Sequence, residues 1–231
     1  MLNLFREGFE ESDRGDEIEL AAYTDAAGEA RARADFGAVL ASEVPDDWHE
    51  RWKEFHRAAR VGGLWVGPPW QTPPDDALAV VIDPGRAFGT GAHPTTRLCI
   101  EHLSRLSRGS LLDVGCGSGV LSIAAAKLGF APIVALDHDA AAVEAAVRNA
   151  AANAVEIEFR QADALQDPLP SATTVVVNID SARVAAVAAR VRCETLVTSG
   201  YFEPHLPQLE RFRHVDRRTE QGWAADLYAP Q

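Results

Sequence analysis

From residue 111 onward the chain repeats one pattern: a short apolar run, a turn, then apolar positions three and four apart. Runs of this kind, bounded by Gly, Asp and Asn, predict strands at 111–114, 133–137, 156–161, 174–178 and 194–199. Helical spacing predicts helices at 120–128, 140–149, 181–190 and 204–212, with two closing strands at 214–219 and 224–228. Strands that alternate with helices build a mostly parallel sheet covered on both faces, so the expected class is α/β with seven strands. Just upstream, a short strand at 79–82 runs into a loop at 83–97, then a helix through Leu98, Ile100, His102 and Leu103.

The first third reads differently. A strand candidate at 18–23, a turn at 25–28 and an amphipathic stretch at 29–44 are too little to fold alone. Pro45, Asp46 and Asp47 resemble a helix start, after which Trp48, Trp52, Phe55 and Ala59 share one face, a stripe suited to packing. Beyond a short strand at 64–66, prolines and glycines over 62–76 predict a stiff connector. The expected organisation is a partial N-terminal recognition domain at 1–60, a linker at 61–78 and the α/β domain at 79–231.

The chemistry gathers at one turn. Asp113, Val114, Gly115, Cys116, Gly117, Ser118 and Gly119 join the first strand of the repeat to a helix. Glycines on alternate positions let the backbone take positive φ and let a ligand lie against the main chain. The helix behind them offers free N–H groups and a positive dipole end. The dinucleotide fingerprint is Gly-x-Gly-x-x-Gly, whereas the spacing here is Gly-x-Gly-x-Gly behind an acid. Taken alone, the turn leaves a nicotinamide site or a purely structural turn open.

In parallel sheets ligands bind beyond the carboxyl ends of the strands. Those ends carry Asp137, Asp163, Asn178 and the run Gly200, Tyr201, Phe202. Asp137 suits the two hydroxyls of a ribose, because Asp139 is better placed to cap the next helix. Asp163 suits an adenine amino group or, equally, a turn. Thr95 and Thr96 stand at a helix entry, where they can meet a ligand or merely cap.

Charge narrows the partners. The chain has 22 Lys and Arg against 34 Asp and Glu, a formal net charge of −12, and shows no basic stripe. Such a surface repels phosphate backbones, so direct nucleic-acid binding is not expected. A basic partner is accommodated more easily, and a solvated acidic face that keeps the chain soluble explains the charge equally well. Cys99, Cys116 and Cys193 form no Cys-x-x-Cys pair, metal-ligand spacing is absent, and no leader or membrane-length apolar run is visible. A cytoplasmic monomer without a metal is expected.

Taken together, the acid before three alternating glycines, the acid ending the next strand and the Asp after the third resemble the class I S-adenosylmethionine-dependent methyltransferases. Residues 83–96, 112–119 and 175–179 resemble more closely the signature stretches of the ribosomal protein L-eleven methyltransferase (PrmA) family, and 48–52 and 64–70 resemble its linker region. The resemblance implies a Rossmann-like fold with a small, truncated α+β N-terminal domain. It implies S-adenosyl-L-methionine as cofactor, held by Phe88, Gly89, Thr90, Thr96, Asp113, Gly115, Gly117, Gly119, Asp137, His138, Asp163 and Asn178. It implies transfer of methyl to lysine side chains and the N-terminal amine of a basic ribosomal protein, with Asn178 as the catalytic candidate that orients the amine. A methyltransferase for another protein or a small molecule, or a non-catalytic cofactor-binding protein, stays open. Asp180 stands where the family tends to have leucine and is read as a helix cap.

Overall fold

In the computed structural model, which describes residues 10–13, 18–21, 26–37, 39–40, 58–83, 91 and 93–231, the chain divides into two compact units, Met1–Arg51 and Trp52–Gln231. In the first, β1 (Glu10–Asp13) and β2 (Ile18–Ala21) pair antiparallel with Glu10 opposite Ala21, and α1 (Ala26–Phe36) follows. Residues 26–28, expected as a turn, are instead the start of α1. Alanines on both sides of Gly28 favour helix, and Arg33 pairs with Glu29 one turn back at 2.8 Å. The helix expected to reach residue 44 stops at Phe36, because Gly37 takes φ 78° and donates its N–H to the Arg33 carbonyl. The aromatic stripe of Trp48, Trp52 and Phe55 lies outside the described residues.

The second unit opens with a three-stranded sheet of β3 (Ala59–Val61), β4 (Leu64–Gly67) and β5 (Leu78–Val81). Residues 61–78, read above as a linker, thus carry β4, which is buried along its whole length. There follow α2 (Pro94–Arg105), β6 (Leu111–Val114), α3 (Val120–Leu128), β7 (Ile133–Asp137), α4 (Ala140–Ala152) and β8 (Glu158–Gln161). Then come β9 (Thr174–Asn178), α5 (Ser181–Ala188), β10 (Thr195–Phe202), β11 (Phe212–Glu220) and β12 (Trp223–Pro230).

The seven-stranded sheet has the order β11-β12-β10-β9-β6-β7-β8. β10, β9, β6, β7 and β8 run parallel, and β12 is antiparallel to both β10 and β11. Leu111–Val114 reads as an unbroken apolar run but for Asp113, because both faces of β6 are covered. On one face lie α2, α3 and α4, with Ile100, Leu103, Ile123 and Ala146 fully buried. Burying a side chain such as Leu103 completely stabilises the fold by about 1.5–3 kcal/mol. On the other face lie α5, through Val184, Val187 and Ala188, and two irregular segments at 162–172 and 203–211.

The helix expected at 204–212 does not form. Pro207 would fall in its interior, where the ring removes an N–H and clashes with the preceding turn. Its carbonyls find other partners: Arg217 donates to Glu203 O and His205 O, both at 2.7 Å, and Tyr228 Oη donates to Pro207 O at 2.9 Å. Leu209 and Phe212 still cover the sheet.

Candidate functional site at the carboxyl ends of the strands

β6 has β7 on one side and β9 on the other, so the chain leaves it in one direction and returns in the other. A crevice opens where the turns after two such neighbours diverge. At this point Gly115 takes φ 76°, Gly117 53° and Gly119 81°. Gly115 and Cys116 donate their N–H groups to Leu136 O at 2.8 and 3.0 Å, which fastens the turn to β7. A Cβ on Gly115 would come within 2.5 Å of Ile179 Cγ2. The residue after Asn178 therefore packs directly on the turn. Gly119 is the N-cap of α3 and gives it no side-chain cap, which leaves first-turn N–H groups for a ligand.

Asp137, the last residue of β7, joins two turns. Its Oδ2 accepts the Gly117 N–H at 2.9 Å and its Oδ1 the Asp139 N–H at 3.0 Å. Exposed His138 brings Nδ1 to 3.3 Å of Oδ1. Asp139 caps α4 through the Ala141 N–H. A carboxylate has about four lone-pair sites, so Asp137 keeps acceptor capacity for two hydroxyls.

Asp113 is almost wholly buried in the middle of β6. Its Oδ2 accepts the Ser122 hydroxyl at 2.5 Å, while Oδ1 has no hydrogen-bond partner among the described residues. Burial pushes its carboxyl up to about 6, against the Ser122 hydrogen bonds, and the Asp137 charge adds to the rise. A buried carboxylate oxygen without a donor is expensive unless a ligand supplies one.

The other expected residues are distributed as follows. Asp163 forms a turn, with Oδ1 accepting the Leu165 N–H at 2.8 Å and Oδ2 the Gln166 side chain at 2.7 Å. Asn178 ends β9 opposite Ser199 of β10, is half-buried, and makes no side-chain hydrogen bond among the described residues. Asp180 is the N-cap of α5, accepting the Arg183 N–H. Thr95 and Thr96 are buried in the first turn of α2. Phe88, Gly89 and Thr90 lie outside the described residues.

Sequence reasoning missed two participants and the role of a third. His93 is the N-cap of α2, with Nδ1 2.7 Å from Thr95 Oγ1 and 3.3 Å from Thr95 N. Pro94 directly after it, at the first helical position, is the signal that marks a cap. Burial and the nearby Arg97 charge lower the His93 pKa. Ile179 is the other, and Gly200, already placed at a strand end, must be glycine because of it: at φ 101°, a Cβ on Gly200 would sit 1.9 Å from Ile179 O. Among the described residues no group of three metal-ligating side chains occurs, and no helix is long and apolar enough to cross a membrane.

A sequence profile of the family described as "Ribosomal protein L11 methyltransferase (PrmA)" matches residues 12–225. A relative from Legionella pneumophila (strain Lens) named "Ribosomal protein L11 methyltransferase" is 37% identical over 195 residues, covering 77% of this chain and 66% of that relative. One of the same name from Dictyoglomus thermophilum is 35% identical over 193 residues, covering 77% and 64%. The chain thus spans just under two thirds of the length of these curated relatives. The solved ribosomal protein L11 methylase from Lactobacillus delbrueckii subsp. bulgaricus superimposes with a TM-score of 0.66 at 26% identity, covering 73% of this chain and 95% of that one. By sequence over most of its length and by fold, the chain belongs to the ribosomal protein L11 methyltransferase (PrmA) family.

Proposed function

We propose that this protein uses S-adenosyl-L-methionine to methylate amino groups, lysine side chains and the N-terminal amine, of the ribosomal protein L-eleven. It works as a cytoplasmic monomer on this basic substrate without binding nucleic acid or membrane, which suits its net charge of −12. Substrate recognition belongs to residues 1–60 and chemistry to 79–231.

The observation that carries the reading is the Asp137 carboxylate, pinned by backbone N–H groups from two adjacent turns with lone pairs to spare for a ribose. The rest of the cradle fits the same molecule. The positive-φ turn 115–119 admits a ligand against the backbone, and the unpartnered Asp113 Oδ1 suits a buried donor such as an ammonium. Thr96, His138 and Asp163, with Phe88, Gly89 and Thr90 of the preceding loop, complete the cofactor-binding set.

When bound, S-adenosylmethionine supplies an electrophilic methyl on a sulfonium sulfur. The chain's residues then have to align a neutral amine, because an in-line displacement depends above all on orientation. A lysine with an ordinary pKa near 10.4 must lose a proton first, and a water-poor pocket favours that loss. The Asn178 side-chain carbonyl would accept one amine hydrogen and so hold the amine in the orientation the displacement requires. The proton released passes to solvent.

The test has two stages. Calorimetry should find S-adenosylmethionine binding in the wild type and its loss in Asp137→Ala. Transfer of labelled methyl to the purified ribosomal protein should occur and should fail in Asn178→Ala. Binding without transfer would retire the ribosomal substrate, and no binding at all would retire the whole reading.

A further inference from the structure

Helix α2 meets the β11–β12 hairpin through charges whose signs alternate. Arg97, in the first turn of α2, donates from Nε to both Glu220 carboxylate oxygens at 3.1 and 3.0 Å and from Nη2 at 2.7 Å. One helical turn on, Glu101 accepts from Arg218 Nη1 at 3.0 Å. The helix presents cation then anion, and β11 presents the reverse. A slip of one rung would set like charges face to face, so the two pairs specify register.

The tip of the same hairpin has a second hold on α2. Gln221 (φ 51°) and Gly222 (φ 80°) form a two-residue turn that places Glu220 opposite Trp223. The Trp223 ring meets the His93 ring edge to face at 4.7 Å, and Phe202 backs it at 4.3 Å. Glu203 fastens this support by donating its N–H to Gly222 O at 2.7 Å. One hairpin tip thus grips His93 and Arg97, the residues on either side of Pro94, Thr95 and Thr96.

We propose that Arg97 and Glu220 are positioning residues: the hairpin tip sets the Thr95–Thr96 turn in its cofactor-binding geometry. This rests on the S-adenosylmethionine reading above. The pair is suited to the task, since the Arg97 side chain is only 16% exposed and Glu220 34%. Three charge-assisted bonds on one carboxylate define an orientation as well as an attraction. α2 has no acid of its own in its first turn, so Glu220 also supplies the negative charge that its dipole favours there.

The test compares full-length variants by calorimetry with S-adenosylmethionine and by thermal unfolding. Glu220→Gln, which keeps shape and removes charge, should weaken cofactor binding about tenfold. Arg211→Gln serves as the stability control; it removes bonds to Ala189 O and Val191 O near the opposite ends of the strands. It should lower the unfolding temperature and leave cofactor affinity within about twofold. The exchange Arg97→Glu with Glu220→Arg should recover most of the affinity that either single change loses. If wild type binds and Glu220→Gln binds equally well, or if both variants lose affinity in step with stability, the positioning role is wrong. If wild type itself does not bind, the cofactor reading has failed instead.

Discussion

Ile179 is held between two glycines. Its Cγ2 lies where a Cβ on Gly115 would be, and its carbonyl lies where one on Gly200 would be. Gly200→Ala therefore combines a steric overlap with backbone at φ 101°, and should destabilise the protein by more than about 2 kcal/mol in denaturant unfolding. Gly115 was legible in the sequence, because an acid and alternating glycines name their own turn. Gly200 was legible as a strand end but not as an obligatory glycine, since that need arises only from a carbonyl that the fold brings against it. Asp113 was legible as a site acid but not as a buried one. Its folded pKa of about 6 exceeds the ordinary 3.8, so the stability of its neutral form is full below about pH 4 and lost as pH rises through 6. Unfolding free energies of wild type and Asp113→Asn, measured from pH 4 to 7, should diverge by roughly 3 kcal/mol across that window, the wild type falling as pH rises.

Among elements, the parallel core was readable because each strand is an apolar run and each helix has its own period. The segment 203–211 was misread because apolar spacing there imitates a helix, whereas Pro207 forbids one and Arg217 takes the carbonyls. Arg217 is itself held by Asp226, which is fully buried and also accepts from Tyr201 Oη at 2.9 Å and His214 Nε2 at 2.7 Å. Burial alone would raise the Asp226 carboxyl, but the hydrogen bonds from Arg217, Tyr201 and His214 outweigh it and hold it below the ordinary range. Its stabilisation is thus present above about pH 4 and lost as pH falls lower, opposite in sign to Asp113. Asp226→Asn leaves the Arg217 guanidinium without its counter-charge, and should cost about 3 kcal/mol or more by thermal or denaturant unfolding.

For the whole molecule, the sequence spoke clearly from residue 79 onward and faintly before it. The N-terminal sequence places too few apolar residues in regular spacing to declare its fold, whereas the sheet declares itself strand by strand. Charge divides along similar lines, with 15 acidic and 8 basic side chains in residues 1–60. A chain of residues 52–231 should retain S-adenosylmethionine affinity within about twofold by calorimetry. It should lose methyl transfer to the ribosomal protein in the radiolabel assay.

Arg97 and Glu220 stand 123 residues apart in the chain. Synthesis runs from the N-terminus at about 5–20 residues per second, so Arg97 leaves the ribosome roughly 6–25 s before its partner. From the synthesis of Asp137 onward, the nascent chain carries the threonine turn, the glycine turn and Asp137 without the hairpin that holds α2 in register. On the proposal above, the last strands to be made are the ones that set the Thr95–Thr96 turn, so a chain stalled before residue 220 should bind S-adenosylmethionine more weakly than the finished one.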